Sequence, residues 1–124
     1  MKLTKLIAGI AFIAGAAAPL AAHHSAAMFD DGKVVELNGT IKEVQWTNPH
    51  IWIQVLVDNN GQKTEWSVEG GSPNTLSRNG WKATTFKSGD PVVVRVNPMK
   101  DGTPGGQFIG AKWKETGKTI GRWE

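Results

Sequence analysis

The chain has 124 residues, six tryptophans, no tyrosine, no cysteine and a formal charge of +3. The lack of cysteine excludes disulfides, thiolate metal sites, cysteine nucleophiles and lipid-modified cysteine, so the fold must be stabilised by burial alone. Two of the 14 basic side chains, Lys2 and Lys5, belong to a leader; without them 12 basic residues face 11 acidic ones, which leaves no electrostatic case for nucleic acid as a partner.

Residues 1–22 carry Lys2 and Lys5, then an uncharged run from Leu6 to Ala18 rich in Ala, Ile and Gly, then Pro19-Leu20-Ala21-Ala22. This is the pattern of a secretory signal peptide. The run is too short and too alanine-rich for the ~20 strongly apolar residues of a membrane span, and no second span follows. The expectation is therefore an exported chain, periplasmic or secreted, that does not span a membrane once cleaved. A cut after Ala22 leaves a single domain over 23–124 that begins His23-His24-Ser25; cuts after Ala21 or Ala17 are the alternatives.

Asp30-Asp31-Gly32-Lys33 has the composition of a turn. Such a turn would fold residues 23–29 back along the first strand, with His23 opposite about Thr40. The first strand spans Val34 to Trp46. Val35, Leu37, Gly39 and Ile41 share one face, and the alternation then slips so that Val44 and Trp46 follow. A one-residue phase change of this kind predicts a β-bulge. After Thr47-Asn48-Pro49, the second strand runs from His50 to Val57 with Ile51, Ile53, Val55 and Val57 toward the core. Asp58-Asn59-Asn60-Gly61 predicts a hairpin into a third strand from Lys63 to Glu69.

Ser72 as N-cap, Pro73 at the first helical position and Gly80 as a left-handed stop predict a short helix over Pro73 to Asn79. If Gly80 ends the helix, Leu76 and Trp81 occupy the two positions whose contact accompanies a Schellman cap. Strand four is Pro91 to Asn97, with Val92, Val94 and Val96 on one face. Lys100 to Gly106 is a Gly/Pro loop, and Gln107 to Lys114 is the last strand.

Three strands, a helix and two strands, the first of them long and bulged, is the element order of an OB-fold-like β-barrel. A small β-sandwich is the alternative fold. Such a barrel binds across its second and third strands, between the loop joining strands one and two and the loop joining strands four and five. Here those loops are Thr47-Asn48-Pro49, bordered by His50, and Pro98 to Gly106, containing Met99.

The segments HHSAAMFD, GTIKEVQWTNPHIWIQ, EWSVEGGSPNTLSRNGW and KSGDPVVV resemble a family of small exported Gram-negative bacterial proteins known as a domain of unknown function. The resemblance covers nearly all of the mature chain and rests chiefly on the TNPH and EGGSPN blocks. It implies export and a small β-rich domain, and brings no activity, cofactor or catalytic residue with it.

The chemistry is therefore read from the residues. A terminal amine titrates near about 7.7–8.0 and histidine near about 6.5, so both become neutral nitrogen donors close to neutral pH. With His23 first, its amine and ring Nδ1 can chelate one ion, and His24 or His50 can add a third nitrogen. A nitrogen-rich planar set suits Cu(II), and the arrangement resembles the histidine brace of exported copper proteins. A cut after Ala21 instead places His24 third, where amine, amides and imidazole also hold Cu(II) or Ni(II). The competing reading makes the two terminal histidines a solvated tail and His50 a strand cap bonded to the Asn48-Pro49 turn. The hairpin at Asp30–Lys33 bears on this choice, because it would hold His23 roughly 20 Å from His50 at strand rise.

Other constellations carry less. Trp46, Trp52 and Trp66 are either an aromatic platform or core. Glu65 and Glu69 share one strand face about 13 Å apart, too far for a glycosidase pair, and are expected to be solvated. Met28 and Met99 are expected to fill core, and Lys112, Lys114 and Lys118 to be a wet face. No nucleophile-base pair is apparent, so no enzyme is expected. The sequence points to a copper-binding protein using His23, His50 and His24. The alternative is a module that binds a periplasmic protein or a small ligand through Asn48, His50 and Trp52.

Overall fold

The computed structural model describes residues 25–124. The expected signal peptide and its cleavage site, together with His23 and His24, lie outside the described residues. The elements are α1 (Ser25–Met28), β1 (Val35–Gln45), β2 (Trp52–Asn59), β3 (Gln62–Glu69), α2 (Pro73–Arg78), β4 (Pro91–Pro98), β5 (Gly105–Trp113) and β6 (Thr119–Gly121).

β1 organises the sheet because it serves two neighbours in succession. Val35 to Thr40 pair with β4, and Gly39 to Gln45 pair with β2, both antiparallel. The register slips between Ile41 and Glu43, at the phase change that the sequence shows. Gly39 sits where the two ladders overlap, and a Cβ there would fall 1.9 Å from the Leu56 carbonyl oxygen. Only glycine allows this approach. A parallel pairing of Ser67–Glu69 with Gly105–Gln107 joins β3 to β5 and closes the sheet in the cyclic order β1-β2-β3-β5-β4. This is the small OB-like barrel expected, and closure excludes the sandwich.

The barrel interior is filled by the alternating faces of the strands. Ile51, Ile53, Val55, Val92, Val94 and Val96 are fully buried. At roughly 1.5–3 kcal/mol per buried aliphatic side chain, these six carry a large part of the driving force for folding. Trp81, Phe86, Phe108 and Trp113 form an aromatic cluster against this core, with Phe86 stacked on Trp113 at 4.8 Å and Trp81 edge-on to Phe86 at 5.6 Å. Trp46 and Trp66 are half-buried and also pack against the core, so two of the three tryptophans considered as a platform lean on the core.

α2 ends as its sequence requires. Ser72 Oγ accepts from Thr75 N–H, Gly80 takes φ 87°, and the N–H groups of Gly80 and Trp81 donate to the carbonyls of Ser77 and Leu76, which completes a Schellman motif. The hairpin turn also follows its sequence. Asn60 and Gly61 both adopt positive φ, and the Asp58 carboxylate accepts from Gly61 N–H.

Three features depart from the sequence-based expectation. The chain does not end with β5: β6 pairs with it through Gly110–Lys112. Ser25–Met28 is a helical turn rather than an extended strand. The segment that follows does not fold back along β1, because Thr40 already pairs with Leu56 on one edge and Pro91 on the other. Asp31-Gly32 does turn the chain, but Phe29 bridges Met99, Asp30 N–H donates to the Pro98 carbonyl, and Lys100 N–H donates to the Met28 carbonyl. The N-terminal segment is thereby fastened to the loop joining β4 and β5.

Candidate functional site

The two sequence blocks TNPH and EGGSPN meet in space. Past the last residues of the β2–β3 ladder, Gly70 N–H donates to the Ile51 carbonyl and Ile51 N–H donates to the Gly71 carbonyl, so the pairing continues beyond Trp52 and Glu69. This brings His50, which follows the cis Asn48–Pro49 peptide, against Gly70. A Cβ on Gly70 would lie 2.6 Å from Ile51 Cγ1, and the missing side chain is what permits the approach.

His50 Nδ1 lies 3.0 Å from the Gly70 carbonyl oxygen. A carbonyl only accepts, so Nδ1 carries the proton and the ring orientation is fixed. Nε2 then faces the Glu69 carboxylate, with Nε2 to Oε1 at 3.6 Å. The ring bonds to Gly70, across the strand pair, rather than to the Asn48–Pro49 turn; within that loop Thr47 Oγ1 donates to the His50 carbonyl.

Glu69 corrects the expectation of a solvated carboxylate, for it is 3% exposed. Its cross-strand neighbours are Trp52 on β2 and Gln107 on β5. Burial pushes its carboxyl above the usual glutamate range, and the nearby His50 offsets part of that rise. Glu65, four residues earlier, is exposed and paired with Lys42 at 3.0 Å. The periodicity of β3 assigns both glutamates to the outer face; only the long-range pairing with β5 distinguishes them.

Trp52 is half-buried and is not part of the core cluster. Beside it on the outer face, Gln54 Nε2 donates to both Gln45 Oε1 and Ser67 Oγ, so a polar ladder crosses β1, β2 and β3. Asn48 is exposed in the β1–β2 loop. On the opposite border, Met99 is half-buried, with its Cγ 3.2 Å from where a Gly105 Cβ would stand. Its loop is shaped by Asp101, whose carboxylate accepts from the Thr103 hydroxyl at 2.7 Å and from its N–H at 3.0 Å. These bonds hold the Asp101 carboxyl below its usual range.

The structure thus brings together His50, Glu69 and Trp52 of the residues singled out in the sequence, and places Asn48 at their rim. Among the described residues, no three histidine, aspartate or glutamate side chains converge as a metal-holding group. His50 and Glu69 supply two donors. Among the described residues, no helix is long and apolar enough to cross a membrane.

Residues 10–108 match the profile of a family described as a family of unknown function, DUF6152, and over that span the chain belongs to it. No curated protein matches the chain.

Proposed function

We propose that this member of a family of unknown function is an exported copper-binding protein that holds the ion through the mature N-terminal His23 and through His50, with His24 in reserve. One observation carries the reading: His50 Nδ1 is committed to the Gly70 carbonyl, which leaves Nε2, facing the Glu69 carboxylate at 3.6 Å, as the ring nitrogen open to a metal on a side chain 42% exposed. A second-sphere bond from the other ring nitrogen to a backbone carbonyl is how metal-ligating histidines are oriented. The attachment of the N-terminal segment to the β4–β5 loop supports it as well, since that segment is not held along β1 at Thr40. Signal cleavage after Ala22 would supply a terminal amine and the His23 ring as a chelating pair, which with His50 gives the nitrogen-rich set that Cu(II) favours.

Calorimetric titration of Cu(II) into processed protein tests this. Uptake tighter than micromolar, lost in His23→Ala and in His50→Ala, is the expected result. Unchanged uptake in His23→Ala removes the reading.

Trp52, which lies outside the core on the polar outer face, favours a second reading. In that reading the face around His50, Asn48 and Trp52 binds a periplasmic protein or a small ligand. Trp52→Ala discriminates: the copper reading requires metal uptake to survive it, whereas the interaction reading requires capture of a partner from periplasmic extract to be lost with copper absent.

A further inference from the structure

We infer that the cavity between the Lys87–Pro91 turn and the β5–β6 hairpin is a binding site for a small neutral saccharide. The cavity encloses about 360 Å³ and lies at the Val92–Trp113 end of the β4–β5 ladder. The Met99 loop and the Glu69–Gln107 pair are at the other end, so the cavity is separate from the face around His50 and Trp52. It draws on the KSGDPVVV block, which has no part in the copper or the interaction reading, and it depends on neither.

The walls are built before any ligand arrives. Phe86 stacks on Trp113 at 4.8 Å, and Trp113 Nε1 donates to Asp90 Oδ2 at 3.1 Å, so the indole is fixed in position and its uncovered part lines the cavity beside Pro91. The same Asp90 oxygen accepts from Lys87 N–H at 2.9 Å. β1 holds this turn in place, since Gly89 N–H donates to the Ile41 carbonyl and Ile41 N–H donates to the Asp90 carbonyl. Across the cavity, Gly117 N–H donates to the Trp113 carbonyl and Trp113 N–H donates to the Lys118 carbonyl, which closes the β5–β6 hairpin. Walls fixed in advance lower the ordering cost of binding.

The lining selects the ligand. Lys87 and Lys118 stand against Asp90 and Glu115, two charges of each sign, so the cavity favours neither an anion nor a cation. The ion pairs among the described residues involve none of these four side chains. Asp90 Oδ1 receives no hydrogen bond among the described residues and remains an acceptor. The Thr85 and Thr116 oxygens already accept from the N–H groups of Lys82 and Lys118, which leaves their O–H groups to donate. Donors and acceptors therefore ring an apolar wall of indole and pyrrolidine. A saccharide matches that arrangement, because its hydroxyls both donate and accept while its ring C–H groups supply an apolar face. The volume falls near the lower end of the roughly 300–1,000 Å³ of ligand pockets, which suits a small sugar.

NMR titration of the processed full chain with glucose, galactose, N-acetylglucosamine and their disaccharides, without copper, tests the inference. The expected result is a saturable shift of the Trp113 indole N–H together with the Lys87 and Lys118 amides, produced by at least one of these sugars. In the double variant Lys87→Ala, Lys118→Ala the same sugar should bind at least about tenfold more weakly, the loss expected for a hydrogen bond to a charged group. Both lysines are exposed and their structural bonds are made by main-chain atoms, so the variant keeps the fold, which circular dichroism checks. No saturable shift with any of the sugars up to tens of millimolar overturns the inference. So do shifts confined to the surroundings of Trp52 and His50, equal affinity in the double variant, or saturable shifts with inorganic phosphate or glycine in place of the sugars.

Discussion

Phe29 bridges Met99, and this contact fastens the chain after the Ser25–Met28 turn to the loop between β4 and β5. Phe29 is 4% exposed yet lies outside the main core cluster, so it anchors a satellite of packing. The path of the chain into β1 is set here, at the loop between β4 and β5, and not by a hairpin along β1.

Removing that anchor separates docking from folding. Phe29→Ala is expected to cost about 3 kcal/mol, as truncation of a buried phenylalanine does. Amide exchange should accelerate at Asp30 and Lys100, whose N–H groups bond across the bridge, more than at Ile53 in the barrel core. Uniform acceleration at all three positions would show that the segment is part of the global fold.

Gly39 marks the point where β1 changes partners. Because an added Cβ would meet the Leu56 carbonyl at 1.9 Å, Gly39→Ala must open the β1–β2 ladder. A loss of about 2–4 kcal/mol in urea unfolding is expected, at or above the usual cost of overpacking.

The cap of α2 gives a smaller effect. Ser72 Oγ accepts from Thr75 N–H and is itself bonded to Thr75 Oγ1. Ser72→Ala should therefore lower stability by about 1 kcal/mol and leave copper uptake unchanged. A loss of uptake would tie the helix start to the site.

Much of this fold is legible in the sequence because it is written locally. The slip in alternation between Ile41 and Val44 becomes the bulge, and the pair Gly80-Trp81 becomes the Schellman cap. β6 was not legible. It has three residues and no alternation, and it depends on Gly110, where a Cβ would meet the Arg122 carbonyl at 2.0 Å. The path of Phe29 was hidden for a related reason: turn composition at Asp31-Gly32 predicts a reversal, whereas the Phe29–Met99 bridge is antiparallel like the pairing of β1 with β4, so the chain runs on past the turn beside the same strand instead of folding back along β1, where both edges of Thr40 are occupied. His50 stood out by residue type. Glu69 did not, because strand periodicity assigns it a wet face, and its burial comes from the parallel pairing of β3 with β5, a contact between residues far apart in the chain.

Burial of Glu69 also sets a pH dependence in the metal-free protein. With its carboxyl raised above the unfolded value, the folded chain binds more protons than the unfolded chain between the two pKa values. Its stabilising contribution is thus full below the unfolded value and is lost as pH rises through the folded one. Metal-free Glu69→Gln should accordingly melt higher than wild type at neutral pH, with the difference closing as pH falls below the ordinary glutamate range. Thermal unfolding at a series of pH values reads this directly, and a Glu69→Gln protein less stable at neutral pH would contradict it.

The central claim is that export creates a copper site at His23 and completes it at His50. Native mass spectrometry of the protein recovered from the periplasm of a copper-supplemented Gram-negative host tests it most directly. The account predicts a chain beginning at His23 that carries one copper ion, and a His50→Ala chain of the same N-terminus that carries none. A wild-type chain with that N-terminus and no bound copper, or a His50→Ala chain that binds copper equally well, would contradict it.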